Sequence, residues 1–300
     1  MPAISAGRSF GRATGPMPPL ELKIGGRTLH LSQRTHVMGI LNVTPDSFYD
    51  GGRYGDAESA VSRGVEMVAE GADCLDVGGE STRPGSDPVP TDVELSRVIP
   101  VLGTLRKRVD VPISIDTRKA DVAEAALNAG ADWVNDVGGF RDDPRMASVV
   151  AALDVPVILM HKRGTPKDMQ KDTGYDNLLG EIRSFFAESL RLARKRGIHS
   201  DRIVLDPGIG FGKSAEDNFL LLRHLPDFLD FGLPLLVGVS RKSFIGKALG
   251  APEQDRLFGT VAAVAISAFL GAHILRVHDV KEAVHAVRIA DRIRTAKVTA

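Results

Sequence analysis

Polar side chains in this sequence repeatedly follow short apolar runs, and the clearest example is Asp206. It comes directly after Ile203, Val204 and Leu205, and a proline and three glycines follow it. A short, continuously apolar run predicts a strand buried on both faces. A carboxylate at the end of such a strand can accept two parallel N–H bonds from the amide–amine edge of a flat heterocycle. Asp206 taken alone could also cap a turn before the next helix.

The same arrangement recurs at the ends of the other predicted strands. The polar residues there are Asn42, Asp76 with Glu80 close behind, Asp116, Asn135, His161, Ser240 to Lys242, and Arg276 with His278. A turn or capping role could explain any one of them. It does not explain all of them, because charged side chains are rarely buried without a partner. The set therefore predicts a ligand site built where the strands end.

The residue types in this set indicate a ligand with two different parts. Asp116, Asn135 and Asp206 can accept hydrogen bonds from a flat heterocycle that carries N–H donors. A second group is cationic and suits phosphate oxygens. Its members are Arg83, Lys242, Arg276 and His278. Asn42 can offer its side-chain carbonyl to Mg²⁺, which prefers oxygen ligands and often arrives with phosphates.

One glycine-rich run looks like a nucleotide-binding motif but does not satisfy either pattern. A phosphate-binding P-loop that ended at Gly212 and Lys213 would need a glycine where Pro207 stands. Gly208, Gly210 and Gly212 also do not complete the dinucleotide fingerprint, whose last glycine would fall on Lys213. We expect these glycines to let a flat ligand approach the backbone.

Two loops, after the first and second predicted strands, carry further candidates. The first loop, residues 42–52, contains Asp46 and Phe48. The second loop, residues 78–86, contains Thr82, Arg83 and Pro84. Both loops combine glycine and proline with polar groups, which is typical of loops that close over a substrate. Turn formation alone would explain the glycines and prolines, but not Phe48 or Arg83.

The elements that position these residues are predicted to alternate, strand then helix, eight times from His36 to Ile293. Eight such units favour a closed (β/α)₈ TIM barrel over an open sheet, and the strand ends of a barrel converge on one rim. The seventh strand, over residues 235–239, is followed by a helix within residues 256–270. Residues 20–34 alternate around two glycines, which predicts a β-hairpin that covers the bottom of the barrel.

These elements form one α/β domain over residues 20–295. Residues 1–19 are rich in Gly, Pro, Ser and Arg, and we expect a disordered tail there. Thr91 and Glu94 predict a capping box at the start of the second helix.

The composition excludes several classes of function. Acidic and basic residues balance at 38 each, so the overall charge favours neither nucleic acid nor an anionic membrane. The single cysteine, Cys74, excludes an intramolecular disulfide and is typical of the reducing cytoplasm. No signal peptide is predicted, and the most apolar late stretch, residues 261–275, is too short to cross a bilayer. No cluster of Cys and His has zinc-site spacing.

Seven short motifs, in order and suitably spaced, are similar to those of a known enzyme family. They are NVTPDSF from Asn42, GESTRPG from Gly79, SIDT from Ser114, ND from Asn135, LDPGIGFGK from Leu205, SRKS from Ser240 and RVHD from Arg276. On these motifs the chain resembles the dihydropteroate synthase family from about His36 to Ile293. GESTRPG and SRKS are each specific for this family, and the seven motifs together are much more specific.

The resemblance implies that 6-hydroxymethyl-7,8-dihydropterin pyrophosphate is joined to p-aminobenzoate, giving 7,8-dihydropteroate and pyrophosphate in folate synthesis. The pterin site that it implies consists of Asp116, Asn135, Met160, Asp206, Phe211 and Lys242. The implied pyrophosphate site, with Mg²⁺ bound at Asn42, consists of Asn42, Arg83, Arg276 and His278. The implied p-aminobenzoate site consists of Phe48, Thr82, Pro84 and Ser243. The residues implied to act in catalysis are Asp116, Lys242, Asp46, Arg276 and His278.

The residue types are consistent with a dissociative substitution at the pterin methylene. An arylamine is a weak nucleophile, so a route that breaks the carbon–oxygen bond first demands less of it. Asp116 would stabilise the resulting cation, while the cationic residues and Mg²⁺ would stabilise the departing pyrophosphate. The first loop, with Asp46 and Phe48, would shape the second pocket and exclude water.

The resemblance also implies a homodimer formed through late helices, and competitive inhibition by sulfonamides, which resemble p-aminobenzoate. Lys162 and Arg163 depart from the family pattern, and we expect their charges to alter the pyrophosphate environment. Two alternatives stay open. One is a pterin-binding methyltransferase domain on a similar barrel, which would not need Arg83 or the SRKS motif. The other is a catalytically silent paralogue that binds a pterin or a partner.

Overall fold

A computed structural model describes residues 20–44, 53–83 and 85–296, with the backbone alone at residues 53–56. The predicted tail over residues 1–19 lies outside the described residues, as do three candidate site residues. These three are Asp46, Phe48 and Pro84.

The described chain begins with the predicted hairpin. Its strands, β1 (Glu21–Ile24) and β2 (Arg27–His30), pair in antiparallel fashion around Gly25 and Gly26. These glycines have φ angles of 54° and 75°. A tight two-residue turn requires positive φ at both positions, which explains the pair of glycines.

Eight parallel strands and the helices between them form an α/β barrel. The strands are β3 (His36–Asn42), β4 (Cys74–Gly78), β5 (Ile113–Asp116), β6 (Trp133–Asp136), β7 (Val157–Met160), β8 (Ile203–Asp206), β9 (Leu236–Val237) and β10 (Ile274–Val277). The helices are α1 (Arg53–Ala69), α2 (Thr91–Leu105), α3 (Ala120–Asn128), α4 (Met146–Leu153), α5 (Leu178–Lys195), α6 (Ala215–Arg223), α7 (Ser243–Leu249), α8 (Leu257–Phe269) and α9 (Val280–Thr295). Neighbouring strands pair in the order β8-β7-β6-β5-β4-β3-β10-β9, and a parallel bridge between Leu205 and Leu235 joins the two ends. The predicted (β/α)₈ barrel is confirmed.

One layer of apolar side chains fills the amino-terminal part of the barrel interior. The layer consists of Met38, Cys74, Trp133, Ile158, Val204, Leu236 and Ile274, one from each of seven strands. Leu22, Ile24 and Leu31 of the hairpin region pack against it and are almost completely buried. Burial of each such side chain contributes about 1.5–3 kcal/mol, which holds the hairpin across the bottom of the barrel as predicted.

A larger apolar cluster lies between the outer face of the strands and the helices. Val77, Ile115 and Leu159 belong to it and point away from the barrel interior. Because both faces of each strand are covered, the strands read as continuous apolar runs in the sequence. No helix in residues 20–44, 53–83 or 85–296 is long and apolar enough to cross a membrane.

Three details differ from the prediction. The seventh barrel strand is shorter than predicted, and α7 follows it where no helix was predicted. The predicted capping box of α2 is wrong, because Pro90 is the N-cap and no side chain caps the helix. Glu94 is instead fully buried and pairs with Lys119, so its carboxylate serves tertiary packing rather than the helix end.

Candidate active site

A polar layer lies inside the barrel above the apolar layer. Its members stand two residues after members of the apolar layer and are Asp76, Asn135, Asp206 and Arg276, with the apolar Met160 at the same level. Residues two apart on a strand face the same side, so both layers point into the barrel. Asp116 on β5 is in register with Asn135 and with Gly78. The alternation of each strand thus brings these polar groups to one mouth.

Arg276 connects the acids of this layer. Its Nε donates to Oδ2 of Asp76 at 2.5 Å, and its Nη2 donates to Oδ2 of Asp116 at 2.6 Å. Oδ2 of Asp76 also accepts from Nδ2 of Asn135 at 2.9 Å, and the hydroxyl of Ser114 donates to Oδ1. Four strands therefore contribute to a single hydrogen-bonded cluster.

Two acceptor atoms of this cluster have no hydrogen-bond partner among the described residues. They are Oδ1 of Asp116 and Oδ1 of Asn135, on side chains that are buried. An unpaired buried acceptor costs free energy, so these atoms are suited to a ligand that brings N–H donors. Burial raises the pKa of Asp116 to about 7, although the neighbouring Arg276 guanidinium acts in the opposite direction.

Asp206, Phe211 and Lys242 lie together at the end of β8 and the loop after β9. Oδ1 of Asp206 accepts from the backbone N–H of Gly208 at 2.7 Å. Burial raises the pKa of Asp206, and the positive charge of Lys242 acts against this shift. Nζ of Lys242 lies 4.5 Å from the centre of the Phe211 ring and donates to the carbonyl of Ile209. Burial lowers the pKa of Lys242 to about 8, against the attraction of Asp206.

Two of the glycines after Asp206 are required by neighbouring protein backbone, while the approach of a flat ligand to this loop stays a prediction. Gly208 and Gly212 have φ angles of 69° and 65°. A Cβ at Gly208 would lie 1.8 Å from the carbonyl oxygen of His161, and one at Gly212 would lie 2.5 Å from that of Arg163. The loop after β8 therefore packs directly on the loop after β7.

Lys213 and His161 form a buried pair beneath this loop. Nζ of Lys213 donates to Nδ1 of His161 and to the carbonyl oxygens of Gly208 and Phe211, at 2.9 to 3.1 Å. Burial lowers the pKa of Lys213 to about 7 and that of His161 to about 2. His161 is therefore neutral and accepts the hydrogen bond at Nδ1.

His278 is held by Ser240 through two contacts. Its backbone N–H donates to the hydroxyl oxygen of Ser240 at 3.1 Å, and the same oxygen lies 2.9 Å from Nδ1 of the ring. Burial and the nearby Arg276 lower the pKa of His278 to about 3, so the ring is neutral. In the tautomer in which Nδ1 accepts from the hydroxyl, Nε2 carries the proton and can donate to a phosphate oxygen.

The loop before α7 is fixed to the loop after β10 by one ion pair. Arg241 has a left-handed φ angle of 56° and forms a two-bond pair with Asp279. This pair places Lys242 and His278 on adjoining loops. Arg83 is more exposed and pairs with Glu253 at 3.1 Å.

The remaining predicted residues lie around the mouth or away from it. Thr82 is half-buried, and Ser243 is the exposed first residue of α7. Lys162 pairs with Asp142, and Arg163 pairs with Glu181 at 2.6 Å. Their charges are thus neutralised by local partners, which argues against the expected effect on pyrophosphate.

Asn42 is the residue that could hold a metal ion. Among the described residues, no three His, Cys, Asp or Glu side chains are arranged to bind one. Asn42 is half-buried at the end of β3, in register with Gly78. Mg²⁺ commonly takes one or two protein oxygens and completes its shell with phosphate and water oxygens. Asn42 therefore fits an ion that arrives with a diphosphate.

Comparison with known proteins agrees with this geometry. A family model described as pterin binding enzyme matches residues 38–278 of the chain. The dihydropteroate synthase of Synechocystis sp. is 48% identical over 276 residues, which are 92% of this chain and 96% of that protein. This chain belongs to the dihydropteroate synthase family of pterin-binding enzymes.

Solved structures of dihydropteroate synthases share the fold closely. The Xanthomonas albilineans enzyme with 4-aminobenzoic acid has a TM-score of 0.88 and 44% identity, covering 93% of this chain and all of that one. The Yersinia pestis enzyme in a sulfonamide drug complex has a TM-score of 0.87 and 46% identity, covering 92% of this chain and all of that one. The resemblance drawn from the motifs is confirmed, and these relatives are synthases rather than methyltransferases.

The site also contains Asp76, His161 and Lys213, to which neither the residue types nor the family motifs assign a role. Asp76 and His161 were visible as polar strand ends, but nothing in the sequence indicated their partners. The signal for Asp76 was its place two residues after a buried strand residue, Cys74, which puts it on the interior face. Lys213 ends both the LDPGIGFGK motif and the incomplete phosphate-binding pattern, and neither indicates its partner.

Proposed function

We propose that this chain joins 6-hydroxymethyl-7,8-dihydropterin pyrophosphate to p-aminobenzoate and releases pyrophosphate. The observation that carries the proposal is the pair of unpartnered buried acceptors, on Asp116 and Asn135, beside the donors of Arg276 and His278. A dihydropterin ring brings N–H donors to the acceptors, and a diphosphate brings oxygens to the donors. The mouth of the barrel therefore matches both the pterin ring and the diphosphate of a single substrate.

The pterin would lie in the mouth with its N–H donors towards Asp116, Asn135 and Asp206. Lys242 would approach the carbonyl side of the ring, while Met160 and Phe211 would contact its faces. Arg276 and Gly208 already hold these acids in place, so binding requires little reorganisation. Such preorganised polar groups stabilise a transition state better than mobile ones.

The diphosphate would lie against Arg276, His278 and Arg83. The fork of Arg276 uses Nε and Nη2 on its two carboxylates, which leaves Nη1 for a phosphate oxygen. Nε2 of His278 supplies a second donor. Asn42 would hold Mg²⁺, which when bound neutralises charge on the phosphates.

Carbon–oxygen cleavage would precede attack by the amine. The pterin methylene would become a cation stabilised by the carboxylate of Asp116, while Arg276 and His278 stabilise the departing pyrophosphate. This hypothesis predicts pyrophosphate release from the pterin substrate in the absence of p-aminobenzoate. Strict dependence of cleavage on the amine would contradict it.

The second substrate would occupy a pocket bordered by Thr82 and Ser243, with Phe48 and Pro84 as further expected neighbours. The relatives described with 4-aminobenzoic acid and with a sulfonamide drug support such a pocket. We therefore propose that sulfonamides compete with p-aminobenzoate for this chain.

The test of the proposed function is release of pyrophosphate with both substrates present, followed by detection of 7,8-dihydropteroate. Asp206→Asn removes an acceptor charge but keeps Oδ1 for Gly208, so it should raise the KM for the pterin at least about 10-fold. Asp201→Asn is a matched control, because Asp201 is exposed and precedes the same strand. Absence of product from the unsubstituted protein would refute the proposed function.

Two copies of the chain are further proposed to pair through α8 and α9. No charged residue occurs in α8, and its Phe258 and Ile266 are 85% and 54% exposed. Ile289 and Ile293 of α9 are 63% and 61% exposed. An apolar surface of this kind favours a partner, and a second copy offers the same apolar surface in a symmetric pairing. The chain has no net charge, so two copies do not repel each other.

A further inference from the structure

We infer that Asp76 is a positioning residue that sets the hydrogen-bonding polarity of the pterin site, an inference that rests on the proposed function. Its side chain is completely buried, so it acts through its neighbours. Those neighbours are Ser114, Asn135 and Arg276, and all three donate to its carboxylate.

The hydrogen bond with Asn135 determines whether a ligand finds an acceptor or a donor at this position. An amide side chain has an acceptor end and a donor end, and either end could face the mouth. Asp76 accepts hydrogen bonds and cannot donate one as a carboxylate. It therefore holds Nδ2 of Asn135 at 2.9 Å and leaves Oδ1 unpartnered. The site presents an acceptor at this position, as a donor-bearing ring edge requires.

The hydrogen bond with Arg276 sets the orientation of the guanidinium group that would bind the diphosphate. Asp76 holds Nε while Asp116 holds Nη2, and two anchors on different strands fix the guanidinium plane. One buried carboxylate thus orients the group that faces the heterocycle and the group that faces the phosphates.

Asp76→Asn tests the inference with little change in volume. Oδ2 of Asp76 accepts from both Asn135 and Arg276, so the new amide keeps its oxygen there and turns its NH₂ group towards Ser114. The side chain then lacks the negative charge that fixes both donors, and Asn135 and Arg276 are held less firmly. We expect the Kd for 6-hydroxymethylpterin, measured by calorimetry, to rise about 10- to 100-fold. The KM for p-aminobenzoate should stay within about 2-fold, because the three hydrogen-bond partners of Asp76 are not among the residues proposed for that pocket.

Asp136→Asn is the matched control. Asp136 follows Asn135 on β6 and is as deeply buried as Asp76. Its carboxylate accepts from the backbone N–H groups of Gly138 and Phe140, outside the barrel mouth. The Asp136→Asn variant should lower thermal stability and leave the pterin Kd within about 2-fold. Ser114→Ala is a milder variant that removes one donor to Asp76, and it should raise the pterin Kd about 3- to 10-fold.

The outcomes distinguish the two proposals. If the unsubstituted protein does not bind the pterin, the proposed function fails. If it binds and Asp76→Asn binds equally well, the inference about Asp76 is overturned alone. Should Asp76→Asn not fold, an unchanged pterin Kd in Ser114→Ala would overturn it.

Discussion

Nζ of Lys213 lies 3.0 Å from Nδ1 of His161, and both side chains are almost completely buried. The same ammonium group holds the carbonyl oxygens of Gly208 and Phe211. A lysine that never reaches solvent thus fastens the loop after β8 to the end of β7. That loop carries Phe211 and follows Asp206, so the buried pair supports the pterin site from behind.

Lys213→Met should destabilise the protein and weaken the site together. The substitution leaves two buried carbonyls and a histidine nitrogen without a donor, which is unfavourable, but it also removes a buried charge, which is favourable. We expect a net loss of about 2 kcal/mol in the free energy of unfolding. Urea unfolding measures the loss, and the Kd for the pterin should rise with it. Lys107→Met is the control, since Lys107 is exposed and should leave both quantities unchanged. Equal stabilities of the two variants would contradict this account.

Stability should fall as the pH is lowered from 6.5 to 4. His36 and His273, at the start of β3 and just before β10, are buried, and burial lowers the pKa of each from 6.5 to about 4. Between these values each of the two histidines binds more protons in the unfolded chain than in the folded one, so acid favours unfolding by at most roughly 3 kcal/mol per histidine. Urea unfolding at several pH values checks this.

A substitution isolates one of these histidines. Nδ1 of His273 accepts from the backbone N–H of Leu235 at 3.0 Å, and the side-chain oxygen of an asparagine can replace that acceptor. His273→Asn should therefore flatten the dependence of stability on pH between 6.5 and 4. A slope equal to that of the unsubstituted protein would exclude His273 as a source.

Turnover should depend on pH in a bell-shaped manner. The proposed mechanism needs Asp116 as a carboxylate and Lys242 as an ammonium ion, with pKa values of about 7 and about 8. kcat/KM for the pterin substrate should rise with pH through the first value and fall through the second. Lys242→Arg stays charged at all these pH values, so its alkaline limb should disappear. An alkaline limb that persists in this variant would assign it to another group.

Pairing of two copies should depend on the apolar surface of α8. Phe258→Asp and Ile266→Asp place a charge on this exposed surface and should yield monomers in light scattering after gel filtration. Leu153→Asp is the control, because Leu153 is 40% exposed but lies at the end of α4. A control variant that dissociates as readily, or an unsubstituted protein that is monomeric, would contradict the proposed dimer.

The barrel, the hairpin and the family follow from local patterns in the sequence. Strands buried on both faces leave continuous apolar runs, and each run is local enough to be read directly. The polar residues that end these runs, such as Asp116 and Asp206, were visible for the same reason. The motifs around them then identified the relatives.

Which polar groups meet depends instead on how the strands pair in three dimensions. Asp76 and Arg276 are 200 residues apart and join through strand register, and a shift of one residue would turn either side chain to the opposite face. The partner of Lys213 and the end of Asn135 that faces the mouth depend on the same register. Hydrogen bonds act over about 3 Å, and no local pattern in a chain encodes a distance between residues so far apart in it.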